Sequence, residues 1–274
     1  MMKSLGFVIL TWNSDKYIAK CLDSILALSK VKCYISIVDN GSQDDSCSIL
    51  KKYSEEHDNI IVNYLDKNYG TTKSRNIGLK ELNDVDYICI LDSDTEIVDE
   101  SGFMDVLAFL DDHPQCGIVG PKLVNAKGVL QYSGRNIPTT KEKMYKVLPF
   151  KSFRKKAESL EHVNYDEEDD FFPVGYLMSA CWIMRRDAYD QIGLLDEHIF
   201  YAPEDVEYCL RSWSLGLKVI YYKNCTVLHH WQRISRKKFF SKHNYEHIKG
   251  LKYLKRKYKK ELKVIGGRIL ETVE

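Results

Sequence analysis

The feature that most constrains this chain is a series of short apolar runs in its first half, each stopping at a cluster of polar residues. Leu5-Gly6-Phe7-Val8-Ile9-Leu10 leads into Thr11-Trp12-Asn13, and Tyr34 to Val38 leads into Asp39-Asn40-Gly41-Ser42. Ile60 to Leu65 leads towards Asn68-Tyr69-Gly70, and Tyr87-Ile88-Cys89-Ile90-Leu91 ends in Asp92-Ser93-Asp94. Runs of this length and composition, bounded by turn formers, predict buried strands. Helix-like stretches separate them. The first spans Asp15 to Ser29 and carries Ile18, Cys21, Leu22, Ile25 and Leu26 at helical spacing. The next starts near Ser42 or Asp44 and reaches Glu55, and a third follows Gly70 through Leu82. Strands alternating with helices imply parallel βαβ units in an open α/β sheet covered by helices. Ligands of such sheets bind beyond the carboxyl ends of the strands, which is where the polar clusters gather.

Asp92 and Asp94 would address one small volume if extended geometry persists through Ser93, because residues two apart on a strand share a side. Two close carboxylates repel, and are best tolerated where a hard divalent cation sits between protein oxygens and substrate phosphates. The plainer alternative makes both of them turn and cap residues ahead of a helix beginning near Ser101. Polar clusters in register suggest a nucleotide site, with carboxylates or amides for base and ribose and a metal for the diphosphate. Arg75, about one turn into its helix, can reach the same rim, although an exposed helical arginine is the ordinary expectation.

The second half is less regular. A strand from Gly117 to Gly120 precedes Pro121, and a hairpin is expected around Asn125-Ala126-Lys127-Gly128. Residues 133–170 are basic first and acidic later, and a stretch this long without pattern predicts a mobile acceptor-side flap. Phe172 to Arg186 reads as loop then strand. Glu204-Asp205 then opens a helix from Val206 to Leu215, closed by Gly216, where the macrodipole alone would favour acidic residues. Strands from Lys218 to Tyr222 and Thr226 to Leu228 deliver His229-His230. Neighbours on a strand face opposite ways, so only one of these histidines should enter a site.

Composition narrows the class. At 274 residues with a net charge of +1, the chain can bury a large core and shows no overall polyanion-binding signature. No apolar run approaches a membrane span and no signal-peptide core precedes Leu5, which gives a cytoplasmic expectation. The eight cysteines are scattered without a CxxC pair, as reduced core residues would be. After Ser235 the chain turns basic and amphipathic. That extension either packs on the domain or attaches peripherally to anionic membrane; nucleic acid is set aside because no nucleic-acid motif accompanies the charge.

The ordered set of motifs resembles the inverting glycosyltransferases of the GT-A fold, glycosyltransferase family 2, and within it the bacterial rhamnosyltransferase-like branch. The resemblance covers roughly residues 5 to 235 and runs through Val8-Ile9-Leu10-Thr11-Trp12-Asn13, Val38-Asp39-Asn40-Gly41-Ser42, Asn68-Tyr69-Gly70, Arg75-Asn76-Ile77-Gly78, Asp92-Ser93-Asp94, Glu204-Asp205 and His229. It implies an open mixed sheet flanked by helices, with a transferase domain over 1–235 and a basic helical extension over 236–274. Thr11, Trp12, Asn13, Asp39, Asn68, Gly70, Arg75, Asp92 and Ser93 would hold the nucleotide, with Asp39 on the base. Asp92, Asp94 and His229 would hold a divalent cation, Mn²⁺ or Mg²⁺, and His229 is preferred to His230 because Arg233 and Ser235 follow it at the family's spacing. Asp205 would be the general base and Glu204 would orient acceptor or base. The implied partners are a nucleotide-diphosphate sugar, with dTDP-rhamnose and UDP-sugars both open, and a glycan or lipid-linked acceptor of bacterial surface polysaccharide. Two positions depart from the family pattern: Ser179 stands where glycine is usual, which would narrow the space beside the sugar, and Glu207 where Asp is frequent. A nucleotidyltransferase and a non-catalytic sugar-nucleotide-binding module are the competing readings. The first usually shows a Gly-rich, basic phosphate loop after its first strand, and Thr11-Trp12-Asn13-Ser14-Asp15 is not one.

Overall fold

The structure, a computed structural model, describes residues 2–138, 145, 150–163, 165, 169–231 and 242–258. The first half alternates as the sequence predicts: β1 (Ser4–Thr11), α1 (Ile18–Leu26), β2 (Lys32–Asp39), α2 (Ser46–Glu56), β3 (Ile60–Tyr64), α3 (Thr71–Glu81) and β4 (Tyr87–Asp92). These strands lie in the order β3-β2-β1-β4, all parallel. The pleat sorts their side chains. Leu5, Phe7 and Ile9 of β1, with Tyr87, Cys89 and Leu91 of β4, join the core under α1 and the helix α4 (Glu100–Asp112). Val8, Ile88 and Ile90 face the opposite core. A strand buried on both faces loses the polar alternation of a half-exposed one, which is why these segments read as continuous apolar runs.

The remaining elements complete a mixed sheet. They are β5 (Thr95–Ile97), β6 (Cys116–Val124), β7 (Leu130–Gln131), β8 (Gly134–Arg135), α5 (Lys151–Glu161), β9 (Phe171–Pro173), β10 (Tyr176–Leu177), β11 (Cys181–Arg185), α6 (Arg186–Ile192), α7 (Glu204–Ser214), β12 (Lys218–His229) and α8 (Lys242–Lys257). β11 runs antiparallel between β4 and β6, and β12 lies parallel to β6 on its far side. The hairpin at 125–128 forms, with the Asn125 side chain accepting from the Lys127 and Val129 amides.

Three expectations change. β6 continues through Pro121, which is tolerated because the β11 ladder meets β6 back at Val119 and the missing N–H falls beyond it. The two strands expected between Lys218 and Leu228 are one strand, β12, which absorbs a register shift between Tyr222 and Thr226. The stretch 133–170 is not patternless where it is described: β8 pairs with β10, α5 follows, and Arg135 bonds Glu161 at 2.6 Å. Residues 139–144, 146–149, 164 and 166–168 of that expected flap lie outside the described residues, as do Arg233 and Ser235.

Trp182 of β11 is fully buried, stacks on Tyr208 of α7 at 5.4 Å and donates its indole N–H to the Leu177 carbonyl. Trp182→Ala is expected to cost about 3–5 kcal/mol through the cavity it leaves. Urea unfolding measures this, and a loss under about 1 kcal/mol would show that α7 is not seated through this contact.

Candidate active site

The chain leaves extended geometry at Ser93, so strand alternation is not what joins the two aspartates. Asp92 is the last residue of β4, the chain turns through Ser93 and Asp94, and Thr95 closes the turn by donating its hydroxyl to the Asp92 carbonyl at 2.7 Å. The turn still brings both carboxylates to one place. Asp92, Asp94 and His229 offer ligand atoms that all lie within 4.8 Å of one another.

The β12 pleat separates the two histidines. His229 points inward, with Nε2 3.4 Å from Asp94 and Nδ1 2.7 Å from Gln131 Oε1. His230 turns the other way, 2.5 Å from Glu96 and stacked on Tyr17. Gln131 is held in turn by donating its amide to the His229 carbonyl at 2.9 Å. An Nδ1–H given to Gln131 Oε1 leaves Nε2 as the lone-pair face towards the aspartates. Burial draws the His229 pKa down, but the Asp94 carboxylate beside it overrides this and the net shift is upward. Two carboxylates and one imidazole, with room for waters and phosphate oxygens, suit Mn²⁺ or Mg²⁺.

Arg75 corrects the ordinary expectation for a helical arginine. Its side chain is 2% exposed, and Nη2 donates to Asp92 at 2.6 Å and to the Ser179 carbonyl at 3.1 Å. Nη1 lies 3.6 Å from Glu204. Among the described residues, Nε and Nη1 have no hydrogen-bond partner. The cause is charge: Asp92 and Glu204 are brought together under the cavity, and a delocalised, weakly hydrated guanidinium bears burial better than an ammonium.

Glu204 and Asp205 open α7. Ser179 donates its hydroxyl to Glu204 Oε1 at 3.0 Å, and the Val206 amide donates to Asp205 at 2.8 Å. Burial pushes the Glu204 pKa up to about 8, with the neighbouring Asp205 adding to the rise. Burial also lifts Asp205, against the pull of its own backbone bond and of Arg135 and Arg75.

A cavity of about 510 Å³ unites these groups. Of the residues expected from the sequence, Trp12, Asn68, Gly70, Arg75, Asp92, Ser93, Asp94, Glu204, Asp205 and His229 line it. Thr11, Asn13 and Asp39 do not. The Asn13 side chain accepts from the Gln43 amide, and Asp39 Oδ2 accepts from the Ser42 amide. Thr11 and Asp39 are neighbours across β1 and β2, and Thr11 Oγ1 and Asp39 Oδ1 are buried with no partner among the described residues.

Sequence reasoning missed Asn40, the Phe200-Tyr201 loop and Gln131 as contributors, and it expected Gly70 without the contact that Gly70 makes. Asn40 accepts from the Tyr69 amide at 2.8 Å and from the Ser74 hydroxyl at 2.9 Å, so it ties the end of β2 to the start of α3 and the loop before it. Gly70 has φ of 89°, and a Cβ there would stand 2.2 Å from the Phe200 carbonyl. That contact lets the Thr71 amide donate to Phe200 and seats the Phe200-Tyr201 loop at the cavity. Gln131 carried no signal beyond its place in a short hairpin strand.

The sheet and its flanking helices are those of the GT-A fold. The chain belongs to glycosyl transferase family 2, whose model matches residues 7–193, and a second model described as Glycosyltransferase (GlcNAc) matches 121–271. It is similar to the N-acetylglucosaminyl-diphospho-decaprenol L-rhamnosyltransferase of Mycobacterium tuberculosis, 25% identical over 84% of this chain and 77% of that one. It is also similar to the dTDP-rhamnosyl transferase RfbF of Shigella flexneri, 23% identical over 84% of this chain and 70% of that one. The solved structure of GalNAc-T7 with UDP, GalNAc and Mn²⁺ superposes with a TM-score of 0.65 at 15% identity, covering 88% of this chain. This chain spans 46% of that protein's length, and the likeness is one of fold.

Gln131→Leu should leave the His229 ring free to take the wrong tautomer and weaken Mn²⁺ affinity, measured with a nucleoside diphosphate present, by roughly 10–100-fold. Calorimetry of the folded variant decides it; an unchanged affinity would take His229 out of the metal set.

Proposed function

We propose that the protein transfers a sugar, with inversion, from a nucleotide-diphosphate sugar to a glycan or lipid-linked acceptor in bacterial surface-polysaccharide synthesis. The observation that carries this is the meeting in one cavity of the Asp92, Asp94 and His229 cluster with the Glu204-Asp205 pair. Asp92, Asp94 and His229 would hold Mn²⁺ or Mg²⁺, which when bound offsets charge on the leaving diphosphate. Trp12, Asn68, Gly70 and Ser93 line the donor side, and Thr11 Oγ1 and Asp39 Oδ1, the one Asp39 oxygen without a partner among the described residues, suit the N–H donors of a base. Arg75 neutralises from beneath. Asp205 takes the proton of the acceptor hydroxyl as the new C–O bond forms, and Glu204 orients the acceptor or the base. The names of the two rhamnosyltransferase relatives favour a rhamnosyl donor such as dTDP-rhamnose.

The transferase domain is read as 1–235 and the basic extension as 236–274. No helix of the described residues is long and apolar enough to cross a membrane. Within the extension, Lys249, Lys252, Lys255 and Arg256 lie exposed on α8 while Leu254 and Tyr258 are buried, so the basic face is free to meet anionic lipid. Each such residue contributes roughly 1 kcal/mol near an anionic surface. Reversing Lys252, Lys255 and Arg256 to Glu should abolish low-salt cosedimentation with phosphatidylglycerol vesicles; wild-type protein that stays in the supernatant would end the membrane reading.

Asp205→Asn keeps the side chain's shape and leaves the metal and nucleotide groups untouched. Transfer should fall by a factor on the order of 10²–10⁴ while donor affinity barely moves. In the wild type, kcat/KM should climb with pH as Asp205, lifted by burial, loses its proton, and this limb should vanish in the variant. A cap residue would be replaced by Asn at little cost, so near-normal transfer by folded Asp205→Asn protein would move the base assignment to Glu204.

A further inference from the structure

The segment from Asp196 to Glu207 carries Phe200, Tyr201, Ala202, Glu204 and Asp205 to the cavity, yet it has no helix or strand of its own before Glu204. Its order must come from what grips it. On one side stands α3: the Thr72 hydroxyl donates to the Ile199 carbonyl at 2.6 Å, the Thr71 amide to the Phe200 carbonyl at 2.7 Å, and Asn76 both donates to and accepts from Leu195 backbone. On the other side stands α8. Tyr253 donates its hydroxyl to Asp196 at 2.7 Å, and Tyr258 donates its hydroxyl to Glu207 at 2.6 Å. Lys257 donates to both carboxylates, at 2.5 Å to Asp196 and 2.9 Å to Glu207, so one ammonium pins the two ends of the segment to each other. Between those ends, Gly250 of α8 presses on the Ala202-Pro203 backbone so closely that a Cβ would stand 2.6 Å from the Ala202 carbonyl and 2.7 Å from the Pro203 ring.

We propose that α8 is a positioning element of the catalytic centre: through Gly250, Lys257 and Tyr258 it fixes where the Glu204-Asp205 pair stands in the cavity. The burial of the contact supports this. Glu207 is 1% exposed, and its carboxylate takes Arg211 on one oxygen and Lys257 and Tyr258 on the other, so it is a fully committed link between α7 and α8. A position error transmitted along the first turn of α7 acts on the reacting geometry, where displacement of about 1 Å can cost a hundredfold in rate. The donor-side groups Trp12, Asn68, Asp94 and His229 sit on other loops and strand ends, so nucleotide binding should not register the change.

This inference rests on the reading of Asp205 as the base, and the test separates the two. In the full chain, Gly250→Ala, Lys257→Met and Tyr258→Phe are compared with wild type and with Asp205→Asn. Transfer is followed for kcat and KM, and UDP or dTDP with Mn²⁺ is titrated calorimetrically for affinity and stoichiometry. The expected result is a fall in kcat of at least tenfold for Gly250→Ala and Lys257→Met, with nucleotide affinity and stoichiometry as in wild type and most of the rate restored by Lys257→Arg. A rate loss that merely tracks a falling nucleotide-binding stoichiometry would overturn the proposal, since α8 would then be fold support only. Wild-type kcat in the folded variants, alongside an inactive Asp205→Asn protein, would overturn it too and leave the base assignment standing. Wild-type kcat in Asp205→Asn itself would instead remove the base assignment. Should Lys257→Met fail to fold, Tyr258→Phe decides: it removes one hydroxyl, and an unchanged kcat there refutes the proposal.

Discussion

The site depends on a buried arginine. Asp92 ends a central strand and Glu204 starts a helix more than a hundred residues later, and the arginine stands between the two side chains at the cavity. Arg75 comes from α3, reaching Asp92 directly, Glu204 at longer range and the Ser179 carbonyl between them. Taking a guanidinium out of water is costly, and an arrangement like this holds only while every partner stays in place. Arg75 therefore locks β4, the loop before β11 and the start of α7 into one relative position, although no two of them are neighbours in sequence.

The lock is useful because of where parallel strands end. β1, β2, β3 and β4 all deliver their carboxyl ends to one edge, and antiparallel β11, inserted beside β4, delivers its amino end there. Loops of very different origin thus meet at one rim. The same rim needs local fastening, which Asn40 gives between the end of β2 and the start of α3 and Gly70 gives by admitting the Phe200 carbonyl. Both kinds of fastening use up polar groups that would otherwise be free for ligand. Asn68, whose side-chain oxygen accepts from the Gly70 amide, lines the cavity while also shaping the loop.

What was legible in the sequence follows the range of the forces. The strand and helix alternation, the Asp92-Ser93-Asp94 stop and the Glu204-Asp205 helix start are encoded within a few residues, by periodicity and turn chemistry. The opposed aim of His229 and His230 follows from the pleat alone, and the structure agrees. Contacts between distant segments left no such trace. Arg75 has the same local spacing whether it is exposed or buried, Gln131 reads as any hairpin residue, and the partners of Lys257 lie 61 and 50 positions away. The turn at Ser93 shows the limit from the other side: two carboxylates converge as expected, but through a tight turn closed by Thr95 and not through strand alternation.

The two residues that the resemblance singled out, Ser179 and Glu207, fit this division. From sequence, Ser179 in place of glycine implied a narrower space beside the sugar. In the fold its hydroxyl is turned onto Glu204, at 3.0 Å, so the added side chain also acts as a hydrogen-bond donor to a carboxylate whose pKa burial has raised. A donor aimed at one oxygen favours the ionised form and holds the rotamer, leaving the second oxygen of Glu204 for the cavity. Glu207 makes a further connection from α7, to Lys257 and Tyr258. Ser179 bonds Glu204 itself, and Glu207 ties the first turn of the same helix to α8. The Ser179 and Glu207 contacts thus both bear on the segment that carries the Glu204-Asp205 pair, while Asp92, Asp94 and His229, which would hold the metal, belong to other elements.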